Sequence, residues 1–542
     1  MIDAARHYPM SRRALLQLGA LAAAGASVGG LGRRAPAHAA NVTFDVEEVN
    51  IVDLQAAMAS GRVTAVDLVD IYVSRIEAID RNGPTLRSVL EINPDARDIA
   101  RALDDERRNK GARGPLHGIP VLLKDNIDTA DKLHTTAGSL ALAGSRPPRD
   151  ATIAAKLREA GAVILGKANM SEWAYFKSTP NTSGWSARGG EGRNPYALDR
   201  TPCGSSSGSA VAVAANLVAV AIGTETDGSI VCPSGVNAIV GIKPTLGLTS
   251  RAGVIPIAHS QDTVGPFGRT VADAATVLGA IAGPDPRDRA TQASAGKFHT
   301  DYTKFLDKNG LRGARIGVPR QNYWGYSKKA DAIATAALDA MRAQGAEIVD
   351  PANITTAKGF FSEGELTVLL YEFKADLNTY LVSLGPNAPV KTLADIIEFN
   401  KRHAGQEMPF FGQDLLEGSE AKGPLTEEAY LKALAENQRT ARQEGIDAVM
   451  AEHRLDALVA PTTSPPWKID TVNGDHLIGL VSHSAALAGY PLVSVPAGFV
   501  QGLPVGITFM GREWSEPTLI KLAYAFEQVT KARRPPQFKA TS

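Results

Sequence analysis

The residues best suited to chemistry lie between Pro202 and Ser234, in the stretch PCGSSSGSAVAVAANLVAVAIGTETDGSIVCPS. A loop rich in glycine and serine stands at each end. Between them the run Ala210 to Ile222 is too apolar for a linker and too short to cross a membrane. It reads as a buried helix and strand that hold the two loops close together. The first loop presents Ser205, Ser206 and Ser207 between Gly204 and Gly208. The second presents Thr226, Asp227, Gly228 and Ser229, where a glycine lets successive N–H groups turn toward one point and form a nest for an anion. A hydroxyl nucleophile beside such a nest suits acyl transfer, because the oxyanion of a tetrahedral intermediate must be stabilised where it forms. Read locally, such loops serve equally well as turns.

A third candidate precedes them. Lys124 ends the apolar run Val121-Leu122-Leu123, where a lysine is costly unless it is paired or uncharged. Either it pairs with Asp125 or Asp128, or it is available as a base. Two other motifs fail on inspection. Gly161 to Lys167 nearly spells a phosphate-binding loop, but position 168 is alanine and the strand lies inside the motif. Gly204-Ser205-Ser206-Ser207-Gly208 matches a nucleophile elbow, yet a turn-rich loop, Arg193 to Pro202, stands where that elbow needs a strand.

The elements that must position these residues alternate between helix and strand. Thr64-Ala-Val-Asp67 reads as a capping box that opens a helix with apolar positions Leu68, Tyr72, Ile76 and Ile79. Further helices are expected near 95–110, 151–160, 271–282, 330–344, 363–381, 391–403 and 425–450, with a last one from Glu516. Strands are expected at 121–123, 162–165, 315–318, 346–349, 457–460, 492–495 and 505–510. This alternation predicts a layered α/β architecture. Because the candidates spread from 124 to 229 and must converge, residues 40–542 are read as one domain.

Residues 1–39 are set apart as a leader. They hold Ser11-Arg12-Arg13-Ala14-Leu15-Leu16, a mild apolar run and Ala37-His38-Ala39, which reads as a twin-arginine export signal with its cleavage site. The expected destination is periplasmic or extracellular, with no stable membrane association after cleavage. The chain carries 57 basic and 57 acidic residues; removing the leader leaves 52 and 56, with no basic stripe, so nucleic acid is not an expected partner. The ten histidines show no metal-ligand spacing, so no metal is expected. Cys203 and Cys232 are read as small buried fillers, although export would permit one bridge.

The segment Cys203 to Pro244, with GSSSGS, GTETDGSIVCPS and GIKPT in order, resembles the core of the amidase signature enzymes. GIPVLLKDN places Lys124 where that family has its catalytic lysine, and SQDTVGP, PTTSPP and GLPVGI extend the likeness over most of the remaining chain. The resemblance implies a large mixed β-sheet covered by helices on both faces. It implies Ser229 as nucleophile, Ser205 as proton relay after a cis peptide bond, and Lys124 as base. The oxyanion hole would come from the backbone of Thr226, Asp227, Gly228 and Ser229, with Ser206 supporting the lysine. Asp227 departs from the glycine many members have there, and its carboxylate could narrow or charge the pocket. TETDGS, LLYEFKADLNTYL and FNKRHAGQEMPFFGQDLL look most like the bacterial peptide amidases. The implied activity is release of ammonia from carboxamides through an acyl-enzyme, with C-terminal peptide amides as substrates and no cofactor or obligatory protein partner. The alternatives are an amidase for aryl, aliphatic or fatty amides, and the A subunit of a tRNA-dependent amidotransferase.

Overall fold

The computed structural model describes residues 44–359 and 361–542, and the leader lies outside the described residues. Phe44–Ser542 forms one compact unit. No helix among the described residues is long and apolar enough to cross a membrane.

Thirteen strands are formed among the described residues, and eleven of them make one sheet. In chain order they are β1 (Val89–Ile92), β2 (Pro120–Lys124), β3 (Val163–Ala168), the short pair β4 (Trp185–Ser186) and β5 (Gly190–Glu191), β6 (Val220–Glu225), β7 (Val240–Lys243) and β8 (Thr263–Gly268). There follow β9 (Arg315–Gly317), β10 (Glu347–Val349), β11 (Ala457–Pro461), β12 (Leu492–Val500) and β13 (Leu503–Met510). The spatial order is β1-β3-β2-β6-β8-β7-β12-β13-β11-β9-β10, with β4 and β5 pairing separately. The sheet is mixed: β2 runs parallel to β3 and β6, whereas β8 is antiparallel to both β6 and β7. Every residue of β2, β3, β6, β7, β8, β11 and β13 is buried, so both faces of the sheet are covered. Their apolar, β-branched character follows from that two-sided burial.

Local chemistry sets many helix ends. Thr64 and Asp67 form the expected capping box, and the helix Ala65–Arg75 continues as a π-helical turn, Ile76–Arg81, that carries Ile76 into the core. Thr270, Ser327, Ser362 and Thr392 cap four further helices by accepting a hydrogen bond from the third residue of each. The segment expected as one helix over 425–450 is broken into Glu428–Ala441 and Asp447–Glu452 by a π-turn at which Gly445 leaves helical geometry. The run of small residues after the first serine loop becomes the helix Ser207–Ala214, whose residues are all buried. Its composition reflects close approach: a Cβ on Gly208 would stand 2.3 Å from the Ser88 carbonyl oxygen.

Candidate active site

Lys124 ends β2, and Thr224 and Glu225 end β6. The two strands are parallel neighbours with Leu123 opposite Ile222, so the lysine and the second loop leave the sheet side by side. Lys124 is fully buried. Its Nζ lies 2.7 Å from Ser205 Oγ, 2.8 Å from Thr224 Oγ1 and 3.2 Å from Thr224 O. Neither aspartate considered as its partner pairs with it. Asp125 meets Arg188 at 3.2 Å, and Asp128 accepts from the Tyr380 hydroxyl at 2.7 Å.

Burial pushes the Lys124 pKa down to about 7, against the opposing pull of Asp262 and Glu225. As the ammonium, Nζ can donate to all three oxygens, and the same three contacts accommodate the uncharged amine. Two N–H groups can donate to the two Thr224 oxygens while the lone pair accepts the Ser205 hydroxyl.

Ser205 follows a cis peptide bond from Gly204, as the family likeness implies. A Cβ on Gly204 would come within 2.2 Å of Ser171 Oγ, so a larger residue there would have to displace that hydroxyl. Ser206 does not touch the lysine. Its Oγ donates to Thr224 O at 3.0 Å and accepts from Thr224 N at 3.2 Å, so it fixes the threonine that holds Lys124. Thr224, the second residue of GTETDGS, is thus a site residue to which the sequence reading assigns no role.

In the second loop, Gly228 takes φ +81°, the left-handed conformation that glycine permits. The side chains before it are all pinned behind the loop. Glu225 accepts from Ile230 N and Val231 N at 2.7 and 2.9 Å, satisfying donors at the start of the helix Val231–Val236. Thr226 Oγ1 donates to Asp262 at 2.5 Å. Asp227 accepts from Ser482 Oγ at one oxygen and from His483 Nδ1 at 3.1 Å at the other, so the carboxylate expected to charge the pocket is engaged elsewhere. Among the described residues, nothing accepts from the N–H groups of Asp227, Gly228 or Ser229.

Ser206 N donates to Ser229 O at 3.2 Å and so ties the two loops together. Ser229 lines the same pocket as Gly204, Thr226, Asp227 and Gly228. Lys124 and Ser205 are in contact; no hydrogen bond joins Ser205 to Ser229 among the described residues.

The cysteines correct the sequence reading. Both are buried, but they are bonded to each other rather than acting as separate fillers. Twenty-nine positions apart in the chain, they meet because one precedes Gly204 and the other begins the helix behind Ser229.

The disulfide forms part of the pocket wall. Phe176, Ile257, Phe361, Leu369, Leu477 and Leu480 make the rest of the wall largely apolar. Ala174 and Tyr175 also line it, from a turn in which Trp173, Ala174 and Tyr175 have φ values of 50°, 55° and 78°. Three successive left-handed residues without glycine cost roughly 1–2 kcal/mol each. The turn is held by the buried Lys177, which pairs with Glu172 at its start and with Glu407 across the chain.

Comparison with known proteins gives the family and the fold. Residues 67–520 match the family model described as Amidase. The native peptide amidase of Stenotrophomonas maltophilia is 53% identical in sequence, with a TM-score of 0.87 over 91% of this chain and 99% of that one. A protein named probable amidase from Arabidopsis thaliana is 44% identical over 92% of this chain and 93% of its own. The A subunit of the glutamyl-tRNA(Gln) amidotransferase of Chloroflexus aurantiacus is 36% identical over 90% of this chain and 98% of its own.

Proposed function

The chain belongs to the amidase family, and from that premise we propose that it is an exported hydrolase that removes the terminal amide of peptides through an acyl-enzyme on Ser229. The observation that carries the chemistry is the buried contact between Lys124 and Ser205, 2.7 Å long, at a lysine whose pKa is lowered to about 7. An uncharged amine there can take a proton that a hydroxyl alone gives up poorly.

In this reading the Ser229 hydroxyl attacks the carboxamide carbonyl and its proton passes through Ser205 to Lys124. The new oxyanion takes hydrogen bonds from the backbone of Thr226, Asp227, Gly228 and Ser229. The intermediate collapses with cleavage of the C–N bond, and the proton returns from Lys124 through Ser205 to the departing ammonia. Water then releases the acyl group from Ser229 as a carboxylic acid, with Lys124 again the base.

Support for a peptide amide comes from the 53% identity to a peptide amidase and from the apolar wall of Phe176, Ile257, Leu369 and Leu480, which suits the side chain of a terminal residue. Export is supported by the paired arginines and the A-x-A site of residues 1–39.

The test is ammonia release by the chain lacking residues 1–39 from an N-blocked dipeptide amide, beside a fatty amide and an anilide, with Ser229→Ala as blank. Release from the dipeptide amide alone is expected. Activity confined to the other two amides discards the peptide assignment and keeps the chemistry.

A further inference from the structure

Behind the oxyanion loop, three titratable side chains from distant parts of the chain meet in the buried interior. His483 Nδ1 lies 3.1 Å from Asp227 Oδ2 and 3.3 Å from Glu365 Oε2, and all three residues are buried. Both carboxylates meet the imidazole at one nitrogen. That nitrogen must carry a hydrogen, since a lone pair facing two anions would be repelled. Nε2 is buried and makes no hydrogen bond among the described residues.

Each member of the cluster stands on a different part of the pocket. Asp227 belongs to the loop that ends in Ser229. Glu365 sits on the helix Glu363–Ser383, which also supplies Leu369 to the apolar wall. His483 begins the helix His483–Ala488, directly after the segment that supplies Leu477 and Leu480. Glu365 in turn accepts from Gln261 Nε2 at 3.1 Å, and Gln261 reaches back to Thr226 O at 3.5 Å, so the linkage closes on the same loop.

We propose that His483, held as the imidazolium, is a positioning residue for this active site: by joining Asp227 to Glu365 it locks the oxyanion loop to both walls of the substrate pocket, so the loop amides keep their aim only while the ring is charged. The proposal rests on the reading of Ser229 as nucleophile and deepens it. Asp227 is then more than a tolerated departure from glycine; it is the handle by which the loop is held.

The electrostatics agree. Burial works against the charged imidazole, but hydrogen bonds and charge from Asp227 and Glu365 raise its pKa to about 10. Burial and the charge of Glu365 push Asp227 up to about 6, opposed by His483 and Ser482. The other titratable groups that act on Asp227 or are acted on by it are Glu225, Lys243 and Tyr323, whose hydroxyl pairs with Ser484. The charged linkage is therefore half formed at about pH 6, where Asp227 ionises, and half lost at about pH 10, where the ring gives up its proton.

The direct test is ¹⁵N NMR of the histidine-labelled enzyme, with His483→Gln identifying the signal. Imidazolium shifts through pH 8 are expected; a neutral ring at pH 8, or a stoichiometric divalent metal bound at this cluster, overturns the proposal. Kinetics supply the second test. His483→Gln is expected to lower kcat roughly 100-fold with KM within about threefold, as for a lost oxyanion contact. The double variant with Asp227→Asn should be no worse than His483→Gln alone, since both break one linkage. Additive losses, or an unchanged kcat in folded His483→Gln, overturn the assignment. Should His483→Gln not fold, Glu365→Gln keeps one ion pair and should move the basic limb of kcat about one pH unit lower; an unmoved limb counts against the proposal. A wild-type enzyme inactive on every amide would instead sink the hydrolase reading, and the NMR result would stand independently.

Discussion

Cys203 and Cys232 are covalently joined, so the residue before the Gly204–Ser205 bond and the first turn of the helix behind Ser229 share one tether. Closing a loop of this length is worth about 3–4 kcal/mol in the chain-entropy account. Cys203→Ser combined with Cys232→Ser is expected to lower stability by about 2–4 kcal/mol, and kcat with it, because the two serine loops lose their shared anchor. Urea unfolding with and without reductant measures the first effect. A reductant-insensitive midpoint for the parent protein would show that the bond carries no load.

The acid limb of the activity profile should belong to Lys124. Its pKa is lowered to about 7 and the uncharged form is the base, so kcat/KM should fall about tenfold per unit below that pH and level off above it, until the charge on His483 is lost near pH 10. Lys124→Arg, permanently charged, should lose roughly 10²–10⁴-fold at all pH values. A profile that stayed flat down to pH 5 would remove the lysine from the mechanism.

The same lysine should cost stability. Its folded pKa lies below the unfolded value of about 10.4, so the unfolded chain binds more protons between pH 7 and 10 and the lysine destabilises the fold most at the low end of that window. Lys124→Met removes this dependence. Its stability relative to the parent should be greater at pH 7 than at pH 10 by roughly 3 kcal/mol, read from denaturant curves at both pH values.

Gly228 and Gly61 separate strain from clash. Both have positive φ, +81° and +73°, but a Cβ on Gly228 would lie 2.4 Å from Leu480 Cδ2, whereas one on Gly61 meets nothing within 4 Å. Gly61→Ala should cost about 1 kcal/mol and leave activity intact. Gly228→Ala should displace the oxyanion loop and lose at least about 10²-fold in kcat. Similar kinetics in the two variants would contradict the role given to the second loop.

Much of this architecture is legible in the sequence because it depends on local signals. The capping box at Thr64, the cap at Thr270 and the apolar runs of β2 and β3 mark their elements without reference to the rest of the chain. The strand β8 is not legible in this way, since TVGPFG carries two glycines and a proline and becomes a strand only by pairing with β6 on one side and β7 on the other. The site divides similarly. Lys124, Ser205, Thr224 and Ser229 all stand in motifs with recognisable spacing, but the part of Thr224 that acts through its backbone oxygen is not signalled by residue type. Glu365 and His483 lie more than a hundred residues from the loop they approach, on helices whose local pattern gives no reason for a buried charge. The disulfide escapes a sequence reading for a related reason: two buried cysteines look alike in sequence whether or not the chain brings them face to face.

Lys124 and the loop after Thr224 extend from adjacent parallel strands, so their mutual placement is a matter of strand register, whereas the apolar pocket wall is contributed by segments outside the sheet around positions 361–369 and 477–480. Glu365 lies within the first of those segments and His483 just beyond the second, so the stretches that shape the pocket also hold the loop that carries the chemistry. Diversification of the wall can redirect the enzyme toward larger, smaller or more polar acyl groups only where Glu365 and His483 are kept, while drift in the strands is constrained by the need to keep two loops abreast.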